Sequence, residues 1–167
     1  SACATGATAH TPCEAGTITA MDGESVCVAC TAGSYQSASG STACVDCPAG
    51  SHCLERAGAP TSCSAGSYAA TSGESACASC AAGEYQPSIG ATACIACPAG
   101  SHCAEGASAA LLCDAGSYRG TTGATSQADC TTCPAGSACV SGAPSDDARL
   151  ERPCDLILPG DVLVAIE

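Results

Sequence analysis

Apolar positions along this chain show no 3.6-residue period, and glycine recurs too often for helices, so the amphipathic helix is excluded as the building element. The large apolar groups stand singly and at a fixed place instead. Tyr35, Tyr68, Tyr85 and Tyr118 each follow by five residues a cysteine that opens a Cys-x-Ala-Gly segment, and Ile18 holds that place after Cys13. A second glycine comes ten residues after the same cysteine, at Gly23, Gly40, Gly73, Gly90 and Gly123. Five segments therefore read C-x-A-G-x-[YI]-x4-G-x3-C-x2-C, as in CTAGSYQSASGSTACVDC from Cys30 and CAAGEYQPSIGATACIAC from Cys80. The segment from Cys113 carries three extra residues between Gly123 and Cys130. This pattern predicts a short irregular β-hairpin stapled at its base. The first glycine lets the chain turn away from the sulfur bridge at positive φ or under close backbone approach. The ring covers the bridge as the segment's one large apolar group, and the second glycine sits where the chain reverses.

Shortened segments alternate with the full ones. They read CPAGSHC at Cys47 and Cys97 and CPAGSAC at Cys133, and about nine residues lead from the first two to the next full segment. His52 and His102 occupy the tyrosine place, where a flat ring packed on a disulfide is the expected role. A metal or catalytic role competes with it, and Ala138 in the third copy counts against that. His10 has no counterpart in the repeat.

The coarser period is 50 residues: Cys3, Cys53 and Cys103 keep that step, as do Cys13, Cys63 and Cys113, and the pairs Cys27/Cys77, Cys30/Cys80, Cys44/Cys94 and Cys47/Cys97. A fixed period of this kind means a repeat array, not one globular core. The expected organisation is three cysteine-rich repeats at 1–52, 53–102 and 103–154, the third lacking one unit, then a tail at 155–167. In that tail Leu156 to Leu158, a Pro159-Gly160-Asp161 turn and Val162 to Ile166 suit a hairpin. It reads as the opening of a following domain or as an edge that pairs with a neighbouring subunit.

Composition sharpens the class. The chain has 18 cysteines in 167 residues and neither Phe nor Trp. That exceeds the roughly 8–10% cysteine that marks a disulfide scaffold. Ordering the backbone costs about 1–2 kcal/mol per residue, and a disulfide closing a 15-residue loop offsets about 3 kcal/mol. Crosslinks must stand in for the missing large side chains, which implies an oxidising compartment: secreted, or extracellular at a cell surface. The net charge of -12 argues against nucleic acid and anionic membrane as partners. It serves solubility, with loose divalent-cation binding as the lesser reading. Asn is absent, so there is no N-glycosylation sequon, while the Ser/Thr-rich loops offer sites for O-linked sugar. Ser1-Ala2 fits a new N-terminus left by signal cleavage. No apolar run is long enough to span a bilayer.

Pairing has one internal clue. Relative to the earlier repeats, the third lacks the equivalent of Cys80 to Cys94, and a clean loss of two cysteines is easiest if they pair with each other. The clue points to Cys30–Cys44 and Cys80–Cys94, and by the same motif to Cys13–Cys27, Cys63–Cys77 and Cys113–Cys130. The short segments then close as Cys47–Cys53, Cys97–Cys103 and Cys133–Cys139. A crossed register stays open, with Cys47–Cys63, Cys53–Cys77, Cys97–Cys113 and Cys103–Cys130. Cys3 and Cys154 are left for external or inter-subunit partners.

The stretch CPAGSHC-x9-CSAGSY-x4-G-x3-C-x2-CAAGEY resembles the ephrin-receptor-like cysteine-rich repeat, related in style to epidermal growth factor-like and tumour necrosis factor receptor-like modules. The resemblance runs from about Cys3 to Cys154. It implies a fold class of small disulfide-rich repeats, an elongated array of short irregular β-hairpins with little or no helix. It also implies an extracellular place, no enzymatic activity and no cofactor. His or Ala at the aromatic place of the short segments departs from the family, as does the missing unit. The acidic signature of calcium-binding growth-factor-like modules is absent.

Competing chemistry is weaker. Cys27-x2-Cys30-x13-Cys44-x2-Cys47 has a zinc-like spacing that recurs at Cys77 to Cys97, but the other cysteines follow no zinc logic. The C-x-x-C pairs read instead as one unit's end meeting the next unit's start, a redox C-x-x-C would need a βαβ context, and no zinc-protease, nucleophile-elbow or phosphate-loop pattern occurs. The expected function is a non-catalytic extracellular structural protein, a stalk or filament component of a surface or matrix such as an algal flagellar hair or wall glycoprotein. Its partners would be copies of itself or other matrix proteins. A ligand-binding receptor ectodomain is the alternative, and a metallothionein-like metal store the third class.

Overall fold

The structure is a computed structural model and describes residues 12–19 and 26–146. Eight units open at Cys13, Cys30, Cys47, Cys63, Cys80, Cys97, Cys113 and Cys133. Each begins with a tight turn in which the amide after the glycine donates to the carbonyl after the cysteine: Thr17 to Glu14 at 3.0 Å, Ser67 to Ser64 at 3.1 Å, Ser101 to Pro98 at 3.2 Å. The glycine is the third residue of that turn and has positive φ, +83° at Gly66, a place where a side chain is strained. The hydroxyl after it reinforces the turn, as Ser67 Oγ donates to the Ser64 carbonyl at 2.8 Å.

The turn feeds a two-stranded antiparallel hairpin, and there are seven such pairs among the described residues. They are β1 (Thr17–Thr19) with β2 (Cys27–Ala29), β3 (Ser34–Tyr35) with β4 (Val45–Asp46), and β5 (Ser51–His52) with β6 (Thr61–Ser62). Then come β7 (Ser67–Tyr68) with β8 (Ala78–Ser79), and β9 (Glu84–Tyr85) with β10 (Ile95–Ala96). The last two are β11 (Ser101–His102) with β12 (Leu111–Leu112), and β13 (Ser117–Tyr118) with β14 (Thr131–Thr132). Among the described residues a single 3₁₀ turn covers Gln127–Asp129, within the longer loop of the unit from Cys113. The expected hairpin array with little helix is what the chain adopts.

Two details differ from the expectation. The two residues between the cysteines of each C-x-x-C are not a joint between units: Val45–Asp46 and Ile95–Ala96 are second strands. The residues after the short segments are not connectors either, because Thr61–Ser62 and Leu111–Leu112 pair back on Ser51–His52 and Ser101–His102. Short and full segments are therefore one kind of hairpin that differs in where its disulfide closes. The amide of each following cysteine locks the hairpin by donating to the turn glycine, Cys63 to Gly50 and Cys80 to Gly66, both at 2.9 Å.

Sulfur forms the interior. The largest fully buried side chains are nine cysteines: Cys13, Cys30, Cys47, Cys53, Cys63, Cys80, Cys97, Cys103 and Cys113. Several large aliphatic side chains stay outside instead, with Leu54 at 65% and Ile89 at 74% exposure.

Units are joined through their backbones. Between the units from Cys63 and Cys80, the Gly66 amide donates to the Gln86 carbonyl at 2.8 Å, Gly90 to Cys63 at 2.8 Å, and Ala69 to Ala91 at 3.1 Å. The same three bonds join Gly33 to Cys53, Arg56 to Cys30 and Gln36 to Ala57. At the far end they join Gly116 to Cys139, Gly142 to Cys113 and Arg119 to Ala143. A ladder in which each unit bonds to its sequence neighbours makes a linear array.

A further contact reaches two units along. A Cβ built on Gly66 would run into the Gly106 carbonyl oxygen, one on Gly83 into that of Gly123 at 2.6 Å, and one on Gly16 into that of Arg56. Arg56 thus holds the place of Gly106 and Gly142 and is the one non-glycine residue at positive φ among the described residues, +62°. A left-handed backbone costs a side-chain-bearing residue about 1–2 kcal/mol, while glycine's extra freedom in the unfolded chain takes back about 0.5–1 kcal/mol. Arg56→Gly is therefore expected to stabilise the protein by about 0.5–1 kcal/mol. Thermal unfolding of the oxidised protein would show it as a raised midpoint, and a lowered midpoint would refute the strain account.

Candidate functional site

The chemistry of the chain is concentrated in its disulfides. Cys13–Cys27, Cys30–Cys44, Cys63–Cys77 and Cys80–Cys94 are bonded at a sequence separation of 14. Cys47–Cys53, Cys97–Cys103 and Cys133–Cys139 close at a separation of 6, and Cys113–Cys130 at 17. The register is local, and the crossed pairs are not joined. Cα–Cα distances run from 5.5 Å at Cys13–Cys27 to 6.3 Å at Cys133–Cys139, within the range that a disulfide spans. In each full unit from Cys13 to Cys113 the leading cysteine is buried, and its carbonyl accepts a backbone amide of the next unit, as Cys63 does from Gly90. Cys3 and Cys154, and the tail at 155–167, lie outside the described residues.

This bonding decides what the zinc-like spacing can do. Cys27, Cys30, Cys44 and Cys47 sit in three different disulfides, and a sulfur in a disulfide supplies no thiolate to a metal.

The four tyrosines are half-buried on the first strands. Tyr35 lies across from Val45, Tyr68 from Ala78, Tyr85 from Ile95 and Tyr118 from Thr131. Each ring thus shares a strand pair with the residue just after its closing cysteine. Tyr35, Tyr85 and Tyr118 also bridge in parallel to Ala57, Ala107 and Ala143 of the next unit.

His52 does something a tyrosine cannot. Its Nδ1 lies 3.3 Å from Cys77 Sγ, in the disulfide of the following unit rather than its own. His52, Cys63 and Cys77 bring their donor atoms within 4.8 Å of one another. His102 meets a different neighbour. The strand that carries it packs against the 3₁₀ turn at Gln127–Asp129, which the extra residues of the Cys113 unit create.

Several anchoring residues escape the motif. Gln86 is 7% exposed and clamps its own loop, donating from Nε2 to the Ala93 carbonyl at 2.6 Å and accepting from the Ser88 amide at 3.0 Å. Gln36 makes the same pair with Ala43 and Ala38. The repeat of glutamine one place after tyrosine was the available signal. In the Cys113 unit Arg119 takes that place and donates from Nη1 to the Asp129 carbonyl at 2.8 Å. Asp129 Oδ2 in turn accepts the Thr125 amide, the Thr125 hydroxyl and the Ser126 amide. Those bonds, the Thr125 amide first, hold its carboxyl below the ordinary carboxylate value.

No helix among the described residues is long and apolar enough to cross a membrane. No curated protein matches the chain. A protein-family model described as "Tyrosine-protein kinase ephrin type A/B receptor-like" matches residues 16–63 and 66–111. The matched stretches fall on the hairpin units, take in Cys30–Cys44, Cys47–Cys53, Cys80–Cys94 and Cys97–Cys103 whole, and make up more than half of the sequence. The chain therefore belongs to the ephrin-receptor-like family of cysteine-rich repeats, a non-catalytic type of module.

Proposed function

We propose that this chain is a structural component of an extracellular surface or matrix, a stalk or filament part that works through contacts with copies of itself or with other matrix proteins. One observation carries the reading: the backbone ladder runs without a break from the Cys13 unit to the Cys133 unit, and its interior is disulfide sulfur. Such a body transmits length and stiffness. Among the described residues its buried groups serve its own stacking. The repeats at 1–52, 53–102 and 103–154 are the natural modules of extension, and Cys3 and Cys154 are candidates for linkage between subunits.

A ligand-binding ectodomain is the second reading. It is favoured by the turn from Thr125 to Asp129, where an insertion breaks the repeat and is held by Arg119 from the preceding strand end.

Light scattering on the oxidised protein over a concentration series tests the structural reading. Growing multimers are expected, and Cys3→Ser/Cys154→Ser tells whether they are covalent. A protein that stays monomeric at every concentration would count for the second reading.

A further inference from the structure

We infer that His52, Cys63 and Cys77 form a redox-gated site for a borderline-soft divalent metal ion, zinc being the fitting class. With the disulfide closed, the two sulfurs offer no thiolate and the trio holds nothing. A low-molecular-weight thiol opens the site. Two thiol molecules give up two electrons and become one disulfide, the Cys63–Cys77 bond breaks, and each sulfur takes one proton. On metal entry those two protons leave to solvent, and the ion is held by two thiolates and one neutral imidazole, with its fourth place left to water.

The geometry is close to what this requires. Metal–sulfur bonds of about 2.3 Å and metal–nitrogen bonds of about 2.0–2.1 Å place tetrahedral donors about 3.5–3.8 Å apart. His52 Nδ1 already lies 3.3 Å from Cys77 Sγ and all three donor atoms lie within 4.8 Å of one another, so the main change required is that the two sulfurs part. Their Cα atoms are 5.7 Å apart, a span over which side-chain rotation can open the pair. The histidine tautomer with its proton on Nε2 presents the Nδ1 lone pair to the ion.

The surroundings hold the trio together once the bond is open. Cys63 donates its amide to Gly50 and accepts the Gly90 amide at 2.8 Å, so its backbone is fixed in the ladder. Cys47–Cys53 and Cys80–Cys94 flank it and remain closed. Cys63 is 1% exposed, and a thiolate buried there without a cation is disfavoured; the metal removes that penalty. His52 and Cys77 are half-buried and give the ion its way in. The arrangement is particular to this place. Full units carry Tyr or Ile where His52 stands, and the strand of His102 faces the turn at Gln127–Asp129.

The test uses the whole oxidised protein and a limiting amount of water-soluble phosphine, which consumes one water per bond opened, leaves as phosphine oxide and is a poor zinc ligand. Reactions run with and without zinc chloride, are quenched with acid and chelator, and the free thiols are alkylated and located by mass spectrometry. The expected result is a reduced fraction at Cys63–Cys77 that zinc raises at least fivefold relative to Cys80–Cys94, which has the same separation of 14. His52→Tyr, which installs the residue that other units carry there, is expected to abolish the zinc effect. Its near-neutral fold is checked by unchanged protease resistance. The proposal is overturned if zinc leaves the ratio unchanged, if His52→Tyr keeps the effect, or if all the bonds open together.

Discussion

Complete reduction is expected to unfold this protein outright. A disulfide closing a loop of 14 residues contributes about 3 kcal/mol in the chain-entropy model, and one closing a loop of 6 about 2 kcal/mol. Small domains are stable by only about 5–15 kcal/mol in total, so the loss of all eight bonds together exceeds that margin. Among the described residues no second interior can take over, since the fully buried side chains of size are the cysteines themselves. The measurement is protease digestion and circular dichroism on the protein before and after reduction and alkylation. Retained protease resistance in the alkylated chain would defeat the account of a sulfur core. Removing one pair, Cys80→Ser with Cys94→Ser, is expected to cost about 3 kcal/mol and leave the array folded.

The second large effect belongs to one hydrogen atom. Gly66→Ala is expected to destabilise the protein by about 3–5 kcal/mol. The residue is buried at φ +83°, and its new methyl group would overlap the Gly106 carbonyl oxygen. The left-handed backbone alone costs about 1–2 kcal/mol. Relieving the overlap moves the Gly106 turn, which strains the bond from Gly106 to Cys80 and the bond from Gly66 to Gln86, both 2.8 Å. Each weakened buried bond costs about 1–3 kcal/mol. Gly106→Ala is the matched control: φ is +69° and nothing lies within 4 Å of the new Cβ. It is expected to cost about 1 kcal/mol, and Arg56 already carries a side chain at the equivalent place. Denaturant unfolding of the two variants side by side checks the difference. Equal losses would show that stacking between units contributes nothing.

These two results separate what can be read along the chain from what cannot. The hairpin unit, its turn glycine and its half-buried tyrosine are local, so Cys30-Thr31-Ala32-Gly33-Ser34-Tyr35 announces them by residue type alone. The strand at Val45–Asp46 was hidden, because two residues between two cysteines look like a joint whether or not they pair. The strand at Thr61–Ser62 was hidden for a related reason: two residues after a proline are too short a run to show a strand pattern. His52 announced a flat ring beside a disulfide. It did not announce that the disulfide would be that of the next unit.

By itself the sequence determined a repeating, sulfur-crosslinked chain with too little hydrocarbon to build any other interior, and it determined where each turn falls. Those properties depend on residue types and on neighbours a few positions away. How the units stack was decided by the tertiary structure alone. The bonds from Gly66 to Gln86 and from Gly90 to Cys63, and the contact of Gly66 with Gly106, join backbone to backbone. Every residue carries the same amide and carbonyl, so such contacts leave no mark in side-chain pattern beyond the absence of a Cβ where two chains must touch.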